Sequence, residues 1–174
     1  MERFSKKHLS SYNLIFRKIP LEELIEVHKL AYEIWPDFFR SILSQNQIEY
    51  MLQWMYGLEP LENQFDQGDA FYLLEQQNIK IGYVHLHEIS KTKLKLQKIY
   101  LRKELHGKGI GKYMMDQILH IARELKYESI ELQVNRENSA VDFYKDFGFI
   151  VEYSKDFEIG EGFYMNDFVM SYTL

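Results

Sequence analysis

The sequence contains no cysteine, which excludes disulfides, thiolate metal sites and a cysteine nucleophile. Proline and glycine are also scarce, at 3 and 9 residues of 174, so a collagen-like or low-complexity chain is excluded. No segment approaches the roughly 18 apolar residues of a membrane span. Residues 1–10 are polar and charged and lack the apolar core of a signal peptide. We therefore expect a cytoplasmic protein that makes no contact with a membrane.

The charge balance is acidic. The chain has 21 basic and 26 acidic residues, a net charge of -5 and a pI near 5.7. This balance disfavours a nucleic-acid-binding protein. Hydrophobic residues make up 46% and aromatic residues 16% of the chain, so it can form a sizeable core and still line a cleft. The length predicts a single domain over residues 1–174.

Hydrophobic periodicity and turn signals predict elements in the order β-α-α-β-β-β-α-β-α-β-β. The first helix is expected to begin at Pro20 and to end at Trp35-Pro36. Ser44 is expected to cap the second helix, and the acidic segment 58–68 to be an irregular connection. Together the elements predict an α/β (α+β) fold with a mixed, mostly antiparallel sheet and helices on both faces. The long helix after residues 102–108 is expected to make a right-handed βαβ crossover.

A glycine-rich segment, residues 106–111 (His-Gly-Lys-Gly-Ile-Gly), lies between a predicted strand and a predicted helix. Glycines there let backbone N–H groups approach a ligand, and the N-terminal end of the helix favours an anion. A P-loop is excluded because His106 occupies a position where that motif requires glycine. A dinucleotide-binding fingerprint is excluded because Lys112 occupies a position where that fingerprint requires glycine. Glu104 is the sole acid among many basic residues in segment 91–112, which would attract a polyanion. The alternative is a tight turn with a solvated basic rim.

A second motif follows the predicted βαβ unit. Residues 138–144 read Asn-Ser-Ala-Val-Asp-Phe-Tyr, and Gly-Phe follows at 148–149. With the loop at 106–111, this motif resembles the paired motifs of the GNAT superfamily of N-acetyltransferases, although it is one residue shorter between Asn and Ala. The strand at 96–101 resembles the acetyl-CoA strand of that family. The family usually carries Gln or Arg where this chain has His106. The resemblance extends along nearly the whole chain and implies a GNAT-like fold with a seven-stranded sheet.

The resemblance implies an acyltransferase that moves an acetyl group from acetyl-CoA directly to a primary amine in a ternary complex, without a metal. The pyrophosphate would lie on the backbone amides of the loop, and the pantetheine arm would pair with the preceding strand. Tyr144 would protonate the leaving thiolate as the general acid. The residues expected to bind acetyl-CoA are Ile99, Tyr100, Leu101, His106, Gly107, Lys108, Gly109, Ile110, Gly111, Lys112 and Asn138. Packing of Tyr144 among phenylalanines and capping of a helix by Asn138 stay open as simpler roles.

The general base is not identified by any family motif. His85, His87 and Glu88 are candidates on the middle strand of the predicted meander, but each is better explained as a core or solvated residue. Proton loss through a chain of water molecules is an equal alternative.

The acceptor is expected to be a small cationic amine, with a protein N-terminus as the alternative. Aromatic and acidic residues would hold it, although the aromatics are slightly better explained as core and the acids as solvated loop. These residues are Trp35, Phe38, Phe39, Tyr50, Trp54 and Tyr56, with Glu59, Glu62, Asp66, Glu158 and Glu161. A competing function is an acyl-CoA-binding sensor without transferase activity. Either a monomer or a homodimer is compatible with the sequence.

Overall fold

The computed structural model describes residues 13–174, and the expectation for residues 1–10 lies outside this range. The strands are β1 (Leu14–Lys18), β2 (Ala70–Gln76), β3 (Ile79–Ser90), β4 (Lys93–Leu101), β5 (Ser129–Asn135), β6 (Ile150–Gly160) and β7 (Phe163–Thr173). The helices are α1 (Leu24–Phe39), α2 (Gln45–Tyr56), α3 (Leu58–Asp66), α4 (Ile110–Glu124) and α5 (Ala140–Phe147). No helix in the described range is long and apolar enough to cross a membrane.

The strands form one seven-stranded sheet in the order β1-β2-β3-β4-β5-β7-β6. β4 and β5, which flank α4 in the chain, run parallel. The pairs β1-β2, β5-β7 and β6-β7 run antiparallel. The predicted mixed, mostly antiparallel sheet with helices is therefore confirmed.

Two compact units make up the described chain. The first contains residues 13–85 and Lys98–His120, with β1, β2, α1, α2, α3 and the glycine-rich loop. The second contains Leu86–Gln97 and Ile121–Leu174, with β5, β6, β7 and α5. The single domain over residues 1–174 stays a prediction.

The first helix differs from its predicted bounds at both ends. Pro20 precedes a single 3-10 turn, Leu21–Glu23, and α1 follows it. The helix then continues through Pro36 to Phe39, so its predicted end is wrong. Trp35 and Phe39 are buried, with ring centroids 4.3 Å apart. This packing stabilises the last turn and outweighs the hydrogen bond that proline cannot donate.

A third helix, α3, occupies most of the segment 58–68, so the predicted irregular connection is wrong. Leu61 is fully buried while Glu59 and Glu62 are exposed, which is the pattern of an amphipathic helix. Pro60 lies in the first turn, where a missing N–H removes no helical hydrogen bond. Because most residues of the segment are polar, its short apolar face did not indicate a helix in the sequence.

Leu61→Ala should lower the free energy of unfolding by about 2–5 kcal/mol, because it removes a fully buried side chain and leaves a cavity. Leu58→Ala is the matched control in the same helix. Leu58 is 40% exposed, so we expect its truncation to change the free energy of unfolding by less than about 1 kcal/mol. Urea denaturation measures both variants. Equal losses in the two would contradict the described packing of α3.

The structure contains the helix cap, the tight turn and the helix end that the sequence predicts. Ser44 Oγ accepts a hydrogen bond from the backbone N–H of Gln47 at 3.2 Å, as a helix cap does. Gln77 and Asn78 have φ values of 49° and 66°, as the tight hairpin turn between β2 and β3 requires. Gly148 has φ of 101° and ends α5. These three predictions are confirmed.

Candidate active site

The glycine-rich loop leads from β4 into α4. Gly107 and Gly109 have φ values of 74° and 80°, a left-handed conformation that favours glycine. A Cβ built on either residue would meet no heavy atom within 4 Å, so both backbones face open space. The N–H of Tyr113 donates to the carbonyl of Gly109 at 3.0 Å. The amides of Ile110 and Gly111 therefore lie in the first turn of α4, before its helical hydrogen bonds begin, where a helix favours an anion.

His106 is held against the end of β4. Its Nε2 lies 2.9 Å from the carbonyl oxygen of Leu101, and its ring lies edge-on to Phe38, with centroids 6.1 Å apart. A carbonyl oxygen only accepts, so Nε2 carries the proton that forms this hydrogen bond. The side chain therefore anchors the loop to the strand. This role needs no positive charge on His106.

Ion pairs neutralise part of the basic segment. Arg102 donates to both carboxylate oxygens of Glu33, at 2.9 Å for the longer hydrogen bond. Lys112 lies 3.7 Å from Asp116, whereas Lys108 is exposed. The positive field beside the loop is therefore weaker than the count of basic residues indicated. Backbone amides become correspondingly more important for any bound phosphate.

The last residues of β4, 99–101, are fixed by an aromatic core. The Tyr100 ring lies 5.4 Å from that of Tyr83 and 5.6 Å from that of Trp35. A Cβ on Gly82 would lie only 2.7 Å from the carbonyl oxygen of Tyr100. Glycine is therefore required where the backbone of β3 approaches β4 this closely.

The aromatic residues considered for the acceptor fall into two groups. Trp35, Phe39 and Tyr56 are core residues, with Trp35 Nε1 donating to the Tyr56 hydroxyl at 3.1 Å. Phe38 and Tyr50 are half-buried, and Tyr50 stacks on Trp54, which is 47% exposed. The explanation of these aromatics as core thus holds for the first group only.

His85 belongs to a buried polar triad that sequence reasoning missed. Its Nε2 lies 2.5 Å from Asp69 Oδ2, and its Nδ1 lies 2.9 Å from Lys98 Nζ. If Lys98 donates to Nδ1, the ring proton is on Nε2 and is donated to Asp69. His85 is fully buried with both nitrogens engaged, so this arrangement favours a core role over that of a base. His87 is half-buried and Glu88 exposed.

Tyr144 and Asn138 lie at and just before α5, in the second unit. Tyr144 is 8% exposed, and its ring packs against Phe143 and Phe149 at centroid distances of 5.5 and 5.8 Å. Burial raises the pKa of Tyr144 well above its usual value, so the hydroxyl keeps its proton at neutral pH. Asn138 Oδ1 accepts from the N–H of Ala140 at 2.8 Å and supports the start of the helix.

Comparison with known proteins gives consistent matches. The family model described as an acetyltransferase (GNAT) domain matches residues 40–166. A spermidine N(1)-acetyltransferase from Thermoplasma acidophilum is 29% identical over 142 residues, which span 78% of this chain and 88% of that protein. The structure of PaiA N-acetyltransferase from Thermoplasma acidophilum, in complex with coenzyme A, has a TM-score of 0.78 at 27% identity and covers 93% of this chain and 99% of that chain. A GCN5-related N-acetyltransferase from Rhodopseudomonas palustris has a TM-score of 0.77 at 13% identity, with 92% and 95% covered, and supports the fold alone.

Proposed function

Since the chain belongs to the GNAT acetyltransferases, we propose that it transfers the acetyl group of acetyl-CoA to a small primary amine within a ternary complex. The observation that carries the proposal is the glycine-rich loop. Two of its glycines adopt left-handed conformations, face open space and precede the N-terminal amides of α4. The coenzyme A complex of the PaiA relative supports this choice of ligand.

In the proposed complex, the backbone amides of 107–112 bind the pyrophosphate of acetyl-CoA. The pantetheine arm pairs with the backbone of 99–101 as an added strand. A backbone N–H of that strand would stabilise the negative charge that develops on the thioester oxygen. Asn138 would contact the cosubstrate in addition to supporting α5.

Tyr144 is the proposed donor to the leaving sulfur. A thiol has a pKa of about 8.5 and tyrosine one of about 10, and burial raises the pKa of Tyr144 further. Tyr144 therefore holds its proton more tightly than a tyrosine of ordinary pKa does. We propose that the hydroxyl first stabilises the thiolate by a hydrogen bond. It then gives its proton to the sulfur, while a proton from the amine replaces that proton on the tyrosine oxygen.

The proposed acceptor is a small amine that is cationic when free. The name of the Thermoplasma relative, a spermidine N(1)-acetyltransferase, supports a polyamine. The acidic balance of the chain, -5 overall, supports a cation as ligand. Exposed acids on α3 and on β6, among them Glu59, Glu62 and Glu158, contribute to this negative field.

Acetyl-CoA-dependent turnover should be found with spermidine and other cationic primary amines, and kcat/KM should fall as salt is added. Salt screens the attraction between the acidic protein and the free cation, over about 10 Å at 0.1 M ionic strength. Thiol release measures turnover across a panel of amines, amino acids and peptides. An arylamine, uncharged at neutral pH, is the control and should show little salt dependence. Activity confined to peptide N-termini, or indifference to salt with the cations, would contradict this assignment.

A further inference from the structure

Asp167 is a buried acid that the sequence analysis did not single out. It lies on β7, opposite Asn135 of β5 and Lys155 of β6, and only 6% of its surface is exposed. Val169, two residues along the strand, is fully buried. Period-two alternation therefore places a carboxylate at a position where a strand normally carries an apolar residue.

The neighbouring cations are engaged elsewhere. Lys95 Nζ donates to Gln133 Oε1 at 3.1 Å, and Arg136 Nη2 donates to Asp156 Oδ1 at 2.5 Å. Across residues 13–174, no hydrogen bond or ion pair is formed by the Asp167 carboxylate, whose oxygens are not closed off from solvent. Buried carboxylates are normally paired, because removing them from water is costly. An unpaired one is available to a group from outside the protein.

The electrostatic surroundings of Asp167 suit a reversible proton acceptor. Burial raises its pKa to about 6, while Arg136 and Lys95 partly oppose that rise. The charged groups around it are Arg136 just after β5 and Lys155 on β6, with Lys95 on β4, the strand beyond β5. Such a carboxylate is mostly ionised at neutral pH, yet it can hold a proton without a large free-energy cost.

Resting on the proposed function, we propose that the Asp167 carboxylate binds the ammonium group of the acceptor and takes one of its protons. The nitrogen lone pair so released forms the C–N bond as the C–S bond of the thioester breaks. A second proton leaves the nitrogen and ends on the coenzyme A sulfur through Tyr144. The proton on Asp167 passes to solvent after the amide product leaves, so that one proton is released in each turnover.

Asp167→Asn tests this role because the amide keeps the shape of the side chain but cannot take the proton. We expect kcat/KM for a cationic amine such as spermidine to fall by about 10²–10⁴-fold. The acidic limb of its pH profile, near pH 6 in the wild type, should disappear. Acetyl-CoA affinity, measured by calorimetry, should be unchanged. Asp146→Asn is the matched control on α5, since it removes the same charge from an exposed position and should retain both activity and the acidic limb.

Thermal unfolding separates this role from a structural one. Folding raises the pKa of Asp167 to about 6, so its ionisation destabilises the native state as pH rises from about 4 to above 6. Asp167→Asn should therefore raise Tm by several degrees at about pH 8 and leave it nearly unchanged near pH 4. A lower Tm together with a retained acidic limb would overturn the proposal. A wild type that acetylates no amine would instead overturn the proposed function.

Discussion

Gly109→Glu should abolish detectable acetyl-CoA binding, with a loss of affinity of more than about 100-fold, or about 2.7 kcal/mol. Gly109 has φ of 80° and no heavy atom within 4 Å of a built Cβ, so a side chain there projects into the space proposed for phosphate. A carboxylate would repel the pyrophosphate, and the strained φ would disturb the amides that bind it. Isothermal titration calorimetry with acetyl-CoA measures the affinity.

Gly162→Glu is the matched control for this substitution. Gly162 has φ of 79° and likewise no heavy atom within 4 Å of a built Cβ, but it lies in the turn between β6 and β7. The same strain and charge are therefore introduced outside the glycine-rich loop, and affinity should stay at the wild-type value. Unchanged affinity in Gly109→Glu would show that the loop does not bind the phosphates. Equal losses in the two variants would point to a general loss of folding.

Tyr144→Phe should lower kcat by about 10²–10⁴-fold and leave acetyl-CoA affinity nearly unchanged. The phenyl ring still packs against Phe143 and Phe149, and only the hydroxyl is lost. Because burial raises the pKa of Tyr144, its ionisation should produce no alkaline limb near neutral pH in the wild-type profile. Steady-state turnover and calorimetry on the same preparations separate kcat from binding.

Tyr72→Phe provides a comparison of the same chemical change. Tyr72 is 9% exposed and burial also raises its pKa, but it lies on β2 outside both motifs. We expect wild-type kcat in this variant. Wild-type turnover in Tyr144→Phe as well would show that Tyr144 only packs.

The fold could be predicted wherever one local signal dominates. The capping box at Ser44, the turn at 77–78 and the glycine after α5 each have short-range physical causes. The two wrong predictions, the end of α1 and the irregular segment 58–68, concern places where tertiary packing outweighs the local signal. Burial of Trp35 stabilises the part of α1 that continues beyond Pro36, and burial of Leu61 stabilises a helix in an acidic segment.

The conformation of the glycine-rich loop was predictable from the sequence, but the pairing of the charges around it was not. Glycines and their spacing identified the loop, because few other residues adopt left-handed φ easily. The sequence pattern cannot show which charges are paired. The positive charge expected beside the loop therefore included Arg102, which forms an ion pair with Glu33. The sequence pattern also could not show that His85 is engaged on both sides or that Asp167 is left unpaired. These properties depend on contacts between residues far apart in the sequence.

The most direct test of the central proposal is to measure both products of one reaction with wild-type protein, acetyl-CoA and spermidine. Free coenzyme A is quantified by its thiol, and acetylated amine by mass spectrometry. We predict that the two accumulate in equal amounts over many turnovers, at a rate that is first order in protein. Tight binding of acetyl-CoA with no acetylated product from spermidine or from any amine or peptide in the panel would contradict the proposal and favour an acyl-CoA-binding sensor.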